Sequence, residues 1–129
     1  MLGLVAVALI PLLQSEVTEA DYREAVRCSA TARVAESWAS GSDSLGERML
    51  ADGYRVRADR LNGFAFQFGE YGGLSEEAIE ADIDGARSEA NRAVMASATP
   101  AEFQAAKTEL FRGADACGQI LMRFSAGLP

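Results

Sequence analysis

Two cysteines near opposite ends of the chain restrict the fold more than any other feature of the sequence. Cys28 and Cys117 are the only cysteines among 129 residues, so a single intramolecular pairing exists. Each lies on an apolar stripe with helical spacing, about nine residues or 13–14 Å from one end of its predicted helix. In adjacent helices of opposite direction they stand at equal height, as a disulfide requires. The sequence therefore predicts a Cys28–Cys117 disulfide, and two buried thiols packed as small hydrophobes are the alternative.

The apolar pattern predicts four helices separated by short connections. Phe103, Leu110, Cys117 and Phe124 recur every seven residues and mark the clearest stripe. The predicted helices span residues 18–40, 43–68, 75–98 and 99–127. Helices of similar length with short loops favour an all-α, antiparallel up-down four-helix bundle. In that arrangement the disulfide ties the first helix to the fourth.

Capping residues set the predicted starts of the first and last helices. Thr18 and Asp21 have the spacing of a capping box, in which each side chain accepts from the other residue's backbone N–H. Thr99 followed by Pro100 and then Glu102 is a stronger signal, because proline suits the first helical position.

The middle of the chain has weaker boundary signals. Ser42 or Asp43 is the predicted N-cap of the second helix, and Ser75 that of the third. The stretch 69–73, Gly-Glu-Tyr-Gly-Gly, is predicted to be a turn or loop because glycine permits positive φ.

The first residues resemble a signal peptide. Leu2 to Leu13 form an uncharged apolar run, which is too short to span a membrane, since a spanning helix needs about 20 residues. A signal-peptide core is about 7–15 residues long, although no Lys or Arg precedes this run. Cleavage after Ser15 or after Ala20 is compatible with the sequence. Residues 1–17 are thus predicted to be a signal-peptide-like segment and residues 18–129 one bundle domain.

That interpretation predicts a periplasmic or secreted protein, and it is consistent with a disulfide, because oxidised cysteine pairs persist mainly outside the cytosol. Two alternatives remain for the apolar run. It is either a buried N-terminal helix of a cytosolic protein or an uncleaved anchor at a membrane interface.

Charge and composition exclude several functions. The net charge is −7, which argues against nucleic acid and anionic lipid as partners, since both are bound by clustered Lys and Arg. The sequence contains no His. This excludes Ser-His-Asp and Cys-His catalysis and His-ligated zinc or haem. We expect neither enzymatic activity nor a cofactor.

One acidic stretch is similar to a calcium-binding loop. Glu80, Asp82, Asp84 and Gly85 match part of the EF-hand pattern, but Asn91 stands where the last ligand should be Glu. An unbroken apolar stripe runs through the same stretch, which favours a solvated acidic helix face, and no metal site is predicted.

An aromatic cluster is the one candidate binding feature. Phe64, Phe66, Phe68 and Tyr71 lie beside the glycine-rich stretch and either line a pocket or partner surface or close one end of the core, the latter being favoured. The expected function is a non-enzymatic exported bundle in the bacterial envelope that binds a protein partner or a small apolar ligand. The alternatives are an envelope stress or structural protein without a ligand site and, least favoured, a carboxylate-based metal-binding protein or enzyme.

Overall fold

The computed structural model describes residues 17–127 and, within them, four helices and no strand. The helices are α1 Glu19–Ser40, α2 Leu45–Tyr71, α3 Glu76–Met95 and α4 Pro100–Gly127. The all-α prediction is confirmed. The predicted signal-peptide-like segment, apart from Val17, lies outside the described residues. In the described part of the chain, no helix combines the length and apolarity needed to cross a membrane.

Three of the predicted helix starts agree with the structure. The Thr18 hydroxyl accepts from the Asp21 N–H at 3.2 Å, and the Asp21 carboxylate accepts from the Thr18 N–H at 3.1 Å. The hydroxyl of Ser75 accepts from the N–H of Ala78, and that of Thr99 accepts from the N–H of Glu102. These bonds satisfy backbone donors that the first turn of a helix leaves without partners.

The predicted start of α2 is wrong by one or two residues. Ser44 is the N-cap, because its hydroxyl accepts from the Glu47 N–H at 3.3 Å. The hydroxyl of Ser42 instead accepts from the Ser44 N–H and donates to the Glu47 carboxylate. Ser42 thus stabilises the first turn of α2, but it is not the N-cap.

The predicted end of α2 is also wrong, because the helix continues through Gly69 to Tyr71. A Cβ atom at Gly69 would lie 2.7 Å from the side chain of Ile79 and 2.9 Å from the ring of Tyr22. Gly69 is therefore a point of close approach between helices. The turn begins only at Gly72, and Gly73, with φ 89°, takes the left-handed conformation.

α1 is the central helix, because it packs closely against each of the other three, whereas those three pack only lightly against one another. Its buried side chains are mostly small. Those with no exposed surface are Ala25, Cys28, Ala30, Ala32, Ala35 and Ala39. Small side chains at a contact allow helix axes to approach closely. The larger side chains of α2, α3 and α4 therefore pack around a central helix with a small cross-section, α1.

A disulfide joins Cys28, in α1, to Cys117, in α4, with the Cα atoms 5.5 Å apart. Both residues are buried, and the predicted bond is confirmed. On one side of it, Asp21 lies 3.4 Å from Arg123. On the other side, Gly113 faces the side chain of Thr31.

The core has two clusters. The first contains the disulfide and an aromatic group in which the ring of Phe124 lies 5.0 Å from that of Phe68. In the second, Trp38 contacts Phe103 edge to face, with the ring centres 5.4 Å apart. The Trp38 indole N–H donates to the Asn91 side chain at 2.7 Å. Aromatic rings therefore fill the space that the small side chains of α1 leave open.

The single lysine of the sequence, Lys107, is buried and pairs with Glu47. Its Nζ atom lies 2.7 Å from Oε1 of Glu47 and 5.1 Å from the ring centre of Phe103. The side chains of Lys107 and Glu47 are 8% and 25% exposed. The hydrogen bond from Lys107, followed by that from Ser42, holds the pKa of Glu47 below its ordinary value.

We predict that Gly69→Ala destabilises the fold and that Gly63→Ala does not. The added methyl group at Gly69 would lie 2.7 Å from the side chain of Ile79, which is fully buried and would have to shift. Such overpacking costs about 1–3 kcal/mol. Nothing lies within 4 Å of a Cβ atom at Gly63, so alanine there should add about 0.5–1 kcal/mol of helix stability. Urea unfolding measures both changes, and equal effects would contradict the close approach at Gly69.

We predict that Glu47→Gln lowers the free energy of unfolding by about 1.5–3 kcal/mol, because it replaces the charged acceptor of the Lys107 ammonium with a neutral one. The double variant with Lys107→Met should recover most of the lost free energy of unfolding, because no unpaired ammonium remains buried. Because the folded-state pKa of Glu47 is depressed, the stabilisation is present above the unfolded-state value of about 4.3 and is lost as the pH falls through the folded-state value. Urea unfolding at a series of pH values should therefore show wild type and Glu47→Gln converging below about pH 4. A difference independent of pH would contradict the ion pair.

Candidate functional site

A groove opens where the first turns of α1, the end of α2 and the middle of α3 meet. Its volume is about 740 Å³. We call it the entry groove, because Val17, the first described residue, lines it. Its apolar lining consists of Val17, Tyr22, Val26, Phe68, Tyr71, Leu74 and Ala86. The charged residues along it are Glu19, Arg23, Arg27 and Asp82.

The apolar lining has a buried floor and an exposed mouth. Val26 and Phe68 are buried, whereas the side chains of Tyr71 and Leu74 are 53% and 38% exposed. The turn at Gly73 determines the position of Leu74, whose backbone N–H donates to the carbonyl oxygen of Gly69 at 2.9 Å. An apolar molecule in the groove would therefore contact apolar surface both beneath it and at its opening.

One wall of the entry groove depends on a hydrogen bond between α1 and α3. The hydroxyl of Tyr22 donates to Oδ2 of Asp82 at 2.6 Å. Burial raises the pKa of Tyr22 above its ordinary value, and the bond to the Asp82 carboxylate and the charge of that carboxylate raise it further. The phenol therefore stays protonated at physiological pH. It acts as a hydrogen-bond donor that fixes the wall and not as a base.

The positive charges of the groove are neutralised by acidic neighbours. Arg23 lies 2.6 Å from Glu19, and Arg27 lies 3.5 Å from Glu24. Asp21, in the same turn of α1, pairs with Arg123 of α4. An anionic ligand would have to compete with carboxylates already in place. The groove is thus suited to an uncharged occupant.

The four aromatic residues singled out from the sequence lie in different surroundings. Phe68 is buried and Phe64 partly buried, and the ring of each lies close to that of Phe124, at 5.0 and 5.5 Å. Phe66 packs against the same core cluster from outside. Only Phe68 and Tyr71 line the entry groove. The structure therefore brings two of the four to the groove, and the binding role of the set stays a prediction.

The acidic stretch at Glu80–Gly85 lies wholly within α3, which continues to Met95. Its apolar neighbours Ile79 and Ile83 are buried, and Asp82 is engaged by Tyr22. An EF-hand needs a twelve-residue loop at this place, so the stretch is an ordinary helix face. Within residues 17–127, no group of three or more Cys, Asp or Glu side chains is placed to hold a metal ion.

A second cavity, of about 290 Å³, lies beside Trp38, near the C-terminal end of α1. Val34, Ser37 and Asn91 also line it. The Asn91 side-chain oxygen already accepts from the Trp38 indole N–H. This cavity offers less apolar surface and volume than the entry groove, which is the better candidate site.

Sequence reasoning found Phe68 and Tyr71 but missed Val26, Leu74 and Ala86. These three residues lie in separate parts of the chain, and only the glycine-rich stretch before Leu74 gives a local signal. The chain matches no protein-family model, and no curated protein or solved structure is significantly similar to it. An inference about function therefore depends on the chemistry of the entry groove.

Proposed function

We propose that this chain is a non-enzymatic, exported helical bundle that binds a small apolar ligand in the entry groove. The observation that carries the proposal is the apolar cavity of about 740 Å³. Pockets that bind small molecules measure about 300–1,000 Å³ and have mainly apolar linings with a few polar groups. The entry groove has both properties, since its apolar lining surrounds one hydrogen-bonded pair, Tyr22 and Asp82.

An uncharged ligand with at most one or two polar atoms fits the groove best. Arg23 and Arg27 are paired with carboxylates, so a charged group would gain little there. The Asp82 carboxylate lines the groove and, beyond the bond from Tyr22, has capacity to accept further hydrogen bonds. A ligand hydroxyl or amide N–H directed at Asp82 would supply orientation, and apolar contact would supply most of the affinity.

The proposal includes an antiparallel up-down topology in which the disulfide ties α1 to α4. Its support is the pairing of Asp21 with Arg123 and of Thr31 with Gly113 on either side of the bond. The four-residue connections between consecutive helices also favour opposite directions. A covalent tie at mid-length would keep the lining of the groove in place.

Export to the periplasm or the exterior is supported by the disulfide, because such bonds persist mainly outside the cytosol. The signal-peptide-like run gives independent support. Cleavage after Ala20 would remove Thr18, the N-cap of α1, together with the capping box. Cleavage after Ser15 would leave both intact, and we therefore favour it.

A protein partner is the second candidate, favoured by exposed apolar side chains on α2. Leu45, Met49 and Val56 lie on one face of that helix, and all three are exposed. A structural or stress-related role without a ligand would not account for the entry groove. A carboxylate-based metal-binding protein or enzyme has the least support, because Asp21, Glu47 and Asp82 are already engaged by Arg123, Lys107 and the Tyr22 hydroxyl.

We predict that the purified full-length chain, with its disulfide intact, binds the neutral dye Nile red in the entry groove. Leu74→Asp places a charge at the mouth and should weaken binding about tenfold, equivalent to 1.4 kcal/mol. Met49→Asp is the matched control, since it introduces the same charge at an exposed apolar residue at the opposite end of α2. Fluorescence titration measures both affinities. Equal affinity of the two variants would contradict a ligand site in this groove.

We predict that the protein recovered from its native cells begins at Glu16 and carries no free thiol. Intact-mass spectrometry after alkylation under denaturing, non-reducing conditions tests both points. Recovery from the cytosol with Met1 in place and two alkylated cysteines would contradict export.

A further inference from the structure

Apolar side chains line the side of α2 that α1, α3 and α4 leave uncovered. Leu45, Met49 and Val56 are 65%, 73% and 44% exposed. At about 100° per residue, these three residues lie within roughly 40° of one another around the helix axis. Aligned apolar surface of this kind is typical of an interaction site. We call this surface the α2 face, and its residues are Leu45, Met49, Asp52, Val56, Arg60 and Gly63.

Gly63, on the α2 face, is a glycine that the packing of the bundle does not require. Nothing lies within 4 Å of a Cβ atom at this residue, and the residue is exposed. Glycine inside a helix is destabilising relative to alanine, because it loses more backbone freedom on folding. At Gly69 the close approach of Ile79 explains the glycine, whereas at Gly63 no neighbour among residues 17–127 does. The missing side chain leaves a depression in the α2 face that a side chain from another molecule can fill.

The charges of the α2 face complement those of an identical face turned end to end. Asp52 precedes Val56 by four residues, and Arg60 follows it by four. The side chain of Asp52 is 88% exposed and lies 3.1 Å from that of Arg55 in the same helix. Arg60 is exposed and forms no ion pair with a residue of the described part of the chain. Asp52 and Arg60 are about 12 Å apart along α2, so they can pair only between two molecules.

One antiparallel alignment of two α2 helices satisfies the charges and the depression together. With the Val56 residues of both copies in contact, Asp52 of each copy stands at the height of Arg60 of the other. Met49 and Gly63 lie seven residues, or about 10–11 Å, on either side of Val56, so Met49 of each copy meets the depression at Gly63 of the other. A parallel alignment in register would instead oppose like charges.

We infer that the α2 face binds the α2 face of a second copy of this chain, antiparallel and with a two-fold axis at Val56. Such an interface is isologous, since both copies contribute the same surface. A single pair of helices is a small interface, so the dimer dissociates readily and its population depends on concentration. The inference names the partner of the exposed apolar surface on α2, and it does not depend on ligand binding in the entry groove.

Charge exchange between two variants of the full chain tests the inference. Asp52→Arg alone opposes two arginines at both ends of the contact, and Arg60→Asp alone opposes two aspartates. Each should weaken self-association about tenfold. An equimolar mixture of the two variants should associate as strongly as wild type, because the new arginine of one chain then faces the new aspartate of the other. Sedimentation velocity over a series of protein concentrations measures the association of each sample.

Glu109→Arg is the matched control, because it makes the same change of charge on α4 and removes an equivalent ion pair, that with Arg112 three residues further on. It should leave self-association unchanged. A wild-type chain that remains monomeric at about 1 mM would overturn the inference. So would association that neither single substitution on α2 weakens, or weakened association that the mixture of the two variants does not recover.

Photochemical cross-linking determines the direction of the two helices. A p-benzoylphenylalanine introduced at Met49 should cross-link to the peptide that contains Gly63. These residues are about 21 Å apart along one helix, so the link must join two molecules. The same group at Leu50, which is exposed but lies about 120° around the helix from Val56, should not form this link. Links from Met49 to the same segment of the second copy would indicate a parallel pair and overturn the inference.

Discussion

The disulfide between Cys28 and Cys117 is the constraint on which the rest of the molecule depends. Its two cysteines are 89 residues apart in the sequence. Closing so long a loop lowers the conformational entropy of the unfolded chain, which stabilises the fold by about 4–5 kcal/mol in the chain-entropy model. α1 needs such support, because alanine side chains bury little apolar area. The bond holds α1 and α4 together at mid-length, and the aromatic contacts on either side pack against that fixed point.

The central position of α1 also explains where the entry groove forms. α2 and α3 both pack against α1 but only lightly against each other. Space therefore remains where all three meet, and the close approach at Gly69 and the bond between Tyr22 and Asp82 define its walls. The small side chains of α1 bury little apolar area and so contribute little to the stability of the bundle. The same helix borders a cavity of ligand size.

Much of the fold could be predicted from local and periodic signals, whereas the site could not. Capping residues such as Thr18 and Ser75 act within one turn, so the sequence reveals them directly. Gly69 resembles a turn residue, yet its role depends on Ile79 and Tyr22, which are distant in the chain. The lining of the entry groove likewise depends on residues that are distant in the chain, because Val26, Phe68 and Ala86 come from three helices and share no sequence pattern.

The burial of Lys107 has a consequence for the chemistry of the whole molecule. It is the only lysine of the chain and is almost fully covered by its contacts with Glu47 and Phe103. The folded domain therefore presents no side-chain amine for acylation or for enzymatic attachment of another protein. A lysine-specific endoprotease finds its one target only when the bundle opens, so the rate of that cut reports how often α4 separates from its neighbours.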